Sequence, residues 1–246
     1  MEKGYELKYY SIEDKFWLFV SRRDMIIRLL KGVGKSSKIL EIGCSSGPLI
    51  SLLQKSGFEN IWGIDTSRRA IQLCKKRGIK NVFARNGAKT GFEKESFEVI
   101  IASDVLEHIK DEAKALNEWK RILKRGGKLI VFAPAFGFLW GEHDVVNQHF
   151  RRYTQKGLVR SLEKAGFRVE RSSYWNFLLF FPALVLRLFQ RLFISAKKMR
   201  ENRDQLYGSG RVMNSLLVTI IKFENRLLET LNFPLGVSVF SIAKRR

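Results

Sequence analysis

Acidic side chains are scarce in this chain: 24 Asp and Glu stand against 45 Lys and Arg, a formal net charge of +21. That imbalance creates a positive field that concentrates anionic partners, whether RNA, an anionic lipid surface or a phosphorylated substrate, and charge alone does not choose among them. Cysteine is scarcer still. Cys44 and Cys74 are too few for a disulfide framework, and no Cys/His cluster has zinc spacing, so a reducing cytosol is the expected compartment. Long apolar runs are also missing. The longest, Phe177–Leu186, contains Pro182 and is closed by Arg187, short of the roughly 20 residues a bilayer-spanning helix needs, so no transmembrane anchor is expected. Residues 1–17 lack the basic-then-apolar pattern of a signal peptide, and export is not indicated. No internal repeat or low-complexity tract occurs.

What is present fits one substantial core. With 246 residues, 45% of them apolar and 12% aromatic, the chain is expected to form one domain over residues 1–246 with an elaboration at 176–233. Phe16, Phe19, Val20, Ile26, Ile27 and Leu30 recur at helical spacing, placing an amphipathic helix ahead of the first strand. Short β-branched runs then read as buried parallel strands at Lys38–Ile42, Asn60–Ile64, Asn81–Ala84, Phe97–Ala102 and Lys128–Ala133. Helical stretches at Pro48–Lys55, Ser67–Arg77 and Asp111–Leu123 lie between them, the last stopped by the Gly126-Gly127 pair. Parallel neighbours need crossover connections, so the core is α/β with helices on both faces.

After Pro134 the chain changes character. A long irregular stretch runs to Tyr153, followed by a helix at Gln155–Ala165 and a strand near Phe167–Ser173. Next come the apolar segment Phe177–Ile194, the charged stretch Lys197–Arg211, and a helix whose Met213, Leu216, Leu217, Ile220, Phe223, Leu227 and Leu231 share a face. Gly236–Ala243 alternates like an edge or hairpin strand.

The strongest chemical signal is the run from Ile39 to Gly47, a strand turning through Gly43, Cys44, Ser45 and Gly47 into a helix. Small residues let backbone approach a ligand, and the helix presents unpaired N–H groups and a positive dipole end. Asp65 ends the second strand close to the spacing of about 20 residues at which a carboxylate chelates a ribose diol. Together these describe an adenosine-type pocket.

On these residues the chain resembles the class I, Rossmann-like S-adenosylmethionine-dependent methyltransferases, especially those acting on small molecules and quinone precursors. Glu41, Gly43, Ser45 and Gly47 match the acidic residue and Gly-x-Gly-x-Gly of that family, with serine in place of the middle glycine. Gly63-Ile-Asp65-Thr66-Ser67 matches its ribose-binding segment, and Asn86 followed by Gly87 falls where an aspartate accepts from adenine. Ser103-Asp104-Val105-Leu106-Glu107-His108 resembles the segment after the fourth strand, and Leu123–Gly127 the approach to the fifth. The resemblance implies a doubly wound, mostly parallel seven-stranded sheet with a helical insertion before the last strand, and S-adenosyl-L-methionine as cofactor. It implies cofactor contacts at Glu41, Gly43, Cys44, Ser45, Gly47, Asp65, Thr66, Asn86, Gly87 and Ser103. A nicotinamide dehydrogenase is disfavoured, because its turn reads Gly-x-Gly-x-x-Gly.

Arg22, in an aromatic-plus-arginine helix like that of related enzymes, is a candidate for a bidentate grip on the cofactor's methionine carboxylate; the bland reading is a solvated basic face. His108, with Asp104 beside it, is the catalytic candidate, a base for a hydroxyl acceptor; the alternative is a helix-start packing role. His143, His149, Arg152 and Tyr153 are candidates for acceptor binding, against a loop held by its own hydrogen bonds. His143, Asp144 and His149 fit no strong metal spacing, and no metal is expected. Phe177–Phe193, with Arg187 and Arg191 along it, is read either as a lid or membrane-facing element or as half of a buried helix pair with Met213–Leu231.

The expected activity is methyl transfer to the oxygen or carbon of a small-molecule, lipid-linked or glycan acceptor, in the cytoplasm and optionally on the inner face of an anionic membrane. An RNA methyltransferase is the alternative that the charge supports, although neither an Asn/Asp-Pro-Pro-aromatic motif nor an RNA-binding module occurs. A non-catalytic scaffold retaining the cofactor pocket is the third.

Overall fold

In a computed structural model, residues 9–193 and 210–246 are described. Helix α1 (Trp17–Leu29) precedes β1 (Ile39–Ile42), followed by α2 (Pro48–Lys55), β2 (Ile61–Asp65), α3 (Arg68–Lys76), β3 (Val82–Ala84) and β4 (Phe97–Ser103). Then come α4 (Glu112–Ile122), β5 (Leu123–Pro134), α5 (Glu142–Val146), α6 (Gln155–Lys164), β6 (Phe167–Trp175), α7 (Phe180–Phe193), α8 (Arg211–Leu227) and β7 (Ser238–Arg245). Local chemistry sets several starts. Ser67 accepts from the Ala70 N–H at 3.2 Å to begin α3, and Asp111 accepts from the Lys114 N–H at 3.0 Å to begin α4.

The strands form one sheet in the order β3-β2-β1-β4-β5-β7-β6. Strands β1 to β5 pair in parallel. The expected doubly wound α/β fold is the one observed, and its central strands carry uninterrupted apolar runs because both faces are covered. On one face Leu116, Trp119 and Ile122 of α4 and Leu158 and Leu162 of α6 join the core. On the other, Met25 and Ile26 of α1, Leu49 and Leu53 of α2, Ile71 of α3 and Ile221 of α8 form the second cluster.

Three expectations are corrected. The last strand is interior: β7 runs antiparallel between β5 and β6, which makes β6 the edge. Its antiparallel pairing with the preceding β6 bears out the hairpin half of that reading. The Gly126-Gly127 pair does not stop α4. The helix ends at Ile122, Leu123 is already extended, and the glycines form a bulge in which the register moves from Phe97↔Leu123 to Val99↔Lys128, with Gly126 at φ +72°.

The third correction concerns α8. Its inward residues are Ile221, Glu224, Asn225 and Leu228, while Met213, Leu216, Phe223, Leu227 and Leu231 are exposed. Hydrogen bonds decide the rotation. Asn225 accepts from Trp175 Nε1 at 2.7 Å and donates to the Ser21 carbonyl at 2.8 Å and to Asp24 at 2.9 Å. Glu224 accepts from the Phe177 and Leu178 N–H groups, each at 3.1 Å. Turning the apolar stripe inward would strand these buried polar groups. The stripe therefore forms no buried pair with α7, whose Phe181, Val185, Leu188 and Phe189 are exposed as well. Ile194 and the charged stretch from Lys197 to residue 209 lie outside the described residues.

Trp119 ties α4 to the sheet, fully buried and donating from Nε1 to the Gly87 carbonyl at 2.9 Å. Trp119→Ala is expected to lower the unfolding free energy by about 3–5 kcal/mol in urea denaturation. A loss under about 1 kcal/mol would mean that α4 is not anchored through this side chain.

Candidate functional site

The chain leaves β1 toward β2 on one side and returns as β4 on the other, so the carboxyl ends of β1 and β4 part. Open α/β sheets bind ligands at such a switch point. An open cleft lies there, walled by Glu41 in β1 and Gly43, Cys44 and Ser45 after it, by Ser103 at the end of β4 and Asp104 after it, and by Tyr9, Glu13, Phe19, Arg22 and Arg23 from the N-terminal side.

The turn after β1 is tight by construction. Gly43 sits at φ +75°, where a Cβ would stand 2.5 Å from Val105 Cγ2. Ser45 itself adopts φ 49°, so serine fills the middle position by accepting left-handed backbone. Asp65 holds this turn: its carboxylate accepts from the Ser45 N–H at 3.0 Å and from the Ser67 N–H at 2.9 Å. The expected ribose-binding acid thus sits at the end of β2 against the turn, just outside the residues that wall the cleft.

Glu41 is buried, and among the described residues its Oε2 has no hydrogen-bond partner. Burial pushes its carboxyl well up, with Cys74 and Glu13 adding to the effect. A buried acceptor without a donor beside a small-residue turn suits a ligand that brings its own N–H or O–H groups, as S-adenosylmethionine does. The residues present therefore fit that cofactor.

Sequence reasoning missed Glu13. Its carboxylate accepts from Ser45 Oγ at 2.7 Å and from Ser46 Oγ, laying the segment before α1 across the turn. Arg23 reinforces it by donating to the carbonyls of Glu13 and Asp14 at 2.7 and 2.9 Å. An acid in a polar N-terminal stretch carries no periodicity that marks such a contact.

Arg22 lines the cleft, and its guanidinium is buried rather than solvated. It is ion-paired with Asp104, donates to Ser238 Oγ at 3.2 Å and stacks over Trp175 at 4.7 Å. Burial lowers its pKa to about 10. Asp104, at φ 54°, thus faces the cleft as the partner of Arg22. Thr66 and Asn86 are exposed beyond the ends of β2 and β3, outside the cleft wall, and the Asn86 amide oxygen accepts from the Ala88 N–H at 2.7 Å. Gly87 is buried beneath Trp119.

Beyond Asp104, two distant loops meet. The rings of His108 and His149 lie edge to face with centroids 4.5 Å apart, and His143 stands 5.8 Å from His149. Burial, then the neighbouring His149, lowers the pKa of both His108 and His143 to about 4, so both imidazoles are neutral near pH 7. His149 Nδ1 is 2.8 Å from Asp144 Oδ1. Asp144 is fully buried and gripped by Arg152 at 2.7 and 3.0 Å and by the Gly141 N–H at 2.7 Å.

The expected substrate contacts therefore divide. Arg152 is spent inside the protein on Asp144 and on the Ala135 carbonyl at 2.9 Å, and the buried Tyr153 donates to Glu112 at 2.6 Å. Both hold the loop rather than face a ligand. His149 remains at the end of β4 beside His108.

Comparison with known proteins agrees with this architecture. A methyltransferase-domain model matches residues 17–172. A ubiquinone/menaquinone biosynthesis C-methyltransferase of Campylobacter jejuni is 31% identical over 104 residues, covering 39% of this chain and 44% of that protein. A ubiquinone biosynthesis O-methyltransferase of Alkalilimnicola ehrlichii is 26% identical over 117 residues, covering 44% of this chain and 46% of that protein. The chain thus spans less than half the length of either relative. Among solved structures, an S-adenosylmethionine-dependent methyltransferase of Thermotoga maritima aligns with a TM-score of 0.58 at 18% identity, over 99% of this chain and 96% of that one. At that identity the likeness speaks to the fold.

Gly43→Ala tests the turn. The added methyl meets Val105 at a backbone angle that alanine resists, so the cofactor dissociation constant should rise by at least about tenfold in titration calorimetry, with the far-ultraviolet dichroism retained. Unchanged affinity would remove the turn from the cofactor site.

Proposed function

Because the chain belongs to the methyltransferase-domain family, we propose that it is an S-adenosylmethionine-dependent methyltransferase acting on a small or lipid-linked acceptor, at oxygen or carbon. The observation that carries this reading is the cleft between the ends of β1 and β4, with an unsatisfied Glu41 oxygen and a glycine turn on one wall and Asp104 on the other. S-adenosylmethionine supplies an electrophilic methyl group when bound. Glu41 and the backbone of Gly43–Ser45 would hold its polar end, and Asp65, at the end of β2 against the turn, the ribose hydroxyls. The protein's remaining work is to orient the acceptor and exclude water.

An oxygen acceptor must lose a proton. The His108–His149 pair lies just beyond Asp104, and the His108 imidazole, kept neutral by burial, has a lone pair for that role. His108→Ala should slow methyl transfer roughly 10²–10⁴-fold with cofactor affinity intact. Full activity on an identified acceptor would dismiss His108. A labelled-methyl assay on cell extracts split into lipid, glycan and RNA fractions identifies the acceptor class, and label confined to RNA would overturn the small-molecule reading.

The exposed face of α8 favours an anionic membrane surface as the docking partner. Leu216 and Phe223 are 50% and 57% exposed, and helical spacing sets the exposed Arg211, Lys222 and Arg226 along one flank of this stripe. Cations beside an apolar face match anionic lipid, whereas RNA would leave the apolar residues uncovered. Among the described residues no helix is long and apolar enough to cross a membrane. Flotation with phosphatidylglycerol-rich vesicles at low salt should carry the protein, and a Leu216→Glu, Phe223→Glu double variant should stay behind. Equal flotation of both proteins, or none of either, would sink the lipid-surface proposal.

A further inference from the structure

Glu107 presents a problem that methyl transfer alone does not explain. It lies in the single helical turn Leu106–His108 and is fully buried, and among the described residues neither carboxylate oxygen has a hydrogen-bond partner. An acid so placed is costly unless a cation or a proton compensates it. The cations acting on it, Arg22 and Arg152, are themselves ion-paired with Asp104 and Asp144. Two imidazoles adjoin it: one ligating atom each from Glu107, His108 and His149 lie within 4.8 Å of one another.

The surroundings of the two rings are specific. His149 points Nδ1 at Asp144 Oδ1, which leaves Nε2 as a free lone pair once Nδ1 carries the proton. His108 packs its ring edge to face against that of His149, with centroids 4.5 Å apart. Imidazoles that ligate metals are held as His149 is, the far N–H given to a carboxylate or carbonyl that fixes tautomer and ring plane. Asp144 is itself pinned by Arg152 and the Gly141 N–H. His149 thus has its orienting partner, while neither Glu107 oxygen has a hydrogen-bond partner among the described residues.

We propose that Glu107, His108 and His149 form a binding site for a divalent transition-metal ion, with Asp144 as a positioning group. Two imidazoles and one carboxylate suit zinc and its neighbours, and leave coordination positions open. Spacing along the chain, tested on His143, Asp144 and His149, gave no reason to expect a metal. Folding assembles a different set, from the turn after β4 and the loop after α5.

The ion's use rests on the methyltransferase reading; its binding does not. Glu107 lies three residues beyond Asp104, which walls the cleft, so the ion would sit next to the cleft wall. The acceptor class this selects is one with an ionisable, metal-coordinating hydroxyl, such as a catechol or enol. The ion would lower the pKa of that hydroxyl so that its proton leaves to solvent, and His108 would then serve as ligand in place of general base. The oxygen lone pair then forms the bond to the methyl carbon, and the electrons of the methyl–sulfur bond remain on sulfur.

The test uses the full chain, stripped with a chelator and titrated with Co²⁺ as a visible-absorption probe, then with Zn²⁺ in competition. One equivalent of Co²⁺ should give d–d absorption that Zn²⁺ abolishes. Glu107→Gln, close in shape to the native residue, should keep the fold and weaken Co²⁺ binding by at least about tenfold, as should His149→Ala. Asp144→Asn should weaken it roughly 10–100-fold and change the absorption band. Retained near-ultraviolet dichroism in Glu107→Gln keeps the result interpretable if the Asp144 variant misfolds. No protein-dependent Co²⁺ spectrum, or one indifferent to Glu107→Gln and His149→Ala, would overturn the site. Cofactor calorimetry on the same samples separates the two readings: Co²⁺ binding without cofactor binding fells the methyltransferase reading alone, and the reverse fells the metal site alone.

Discussion

The parting of β1 from β4 is the constraint on which the rest of this molecule depends. Parallel strands wound in opposite senses from a common centre leave their carboxyl ends uncovered at that line, and a cleft opens there whatever side chains line it. The backbone must turn sharply at each strand end around it. Ser45 after β1, Asp104 after β4, Phe136 after β5 and Asn176 after β6 all adopt positive φ, between 49° and 61°. Non-glycine residues held so cost on the order of 1–3 kcal/mol each, and such strain persists where the surrounding core over-determines it. Here that core is two apolar layers, one on each face of the sheet.

Buried polar groups do the positioning that packing cannot. Asp144 fixes the loop after β5 by gathering Arg152, His149 and the Gly141 N–H, all within 3.0 Å. Asn225 and Glu224 fix α8 against Trp175 and the entry to α7. Asp104 and Trp175 together hold the Arg22 guanidinium at the cleft wall. In each case a side chain that looks soluble in the sequence is buried because its hydrogen bonds exist only in the fold. One consequence reaches the surface: anchoring α8 by its polar residues turns its apolar residues outward, beside its arginines and lysine.

The sequence alone determined the sheet, its parallel core and the turn around Gly43, because these follow from short-range signals. Apolar runs of strand length, helix-length intervals and small residues at a strand end are local properties that any fold must respect. It likewise located Glu41, Asp65, Asp104 and His108 at strand ends, since a residue just past a strand lies at the sheet's edge.

Only the tertiary structure decided which of these residues face a ligand and which face each other. Arg22 met Asp104, Arg152 met Asp144, Tyr153 met Glu112, and Glu13 closed over Ser45, pairings between segments whose separation along the chain carries no period. The same holds for the interior place of β7, for the outward face of α8, and for the meeting of Glu107 and His108 with His149. Hydrophobic patterning ranks residues by their wish to be buried. A buried polar contact depends on where its partner arrives in space, and that is settled when the layers pack.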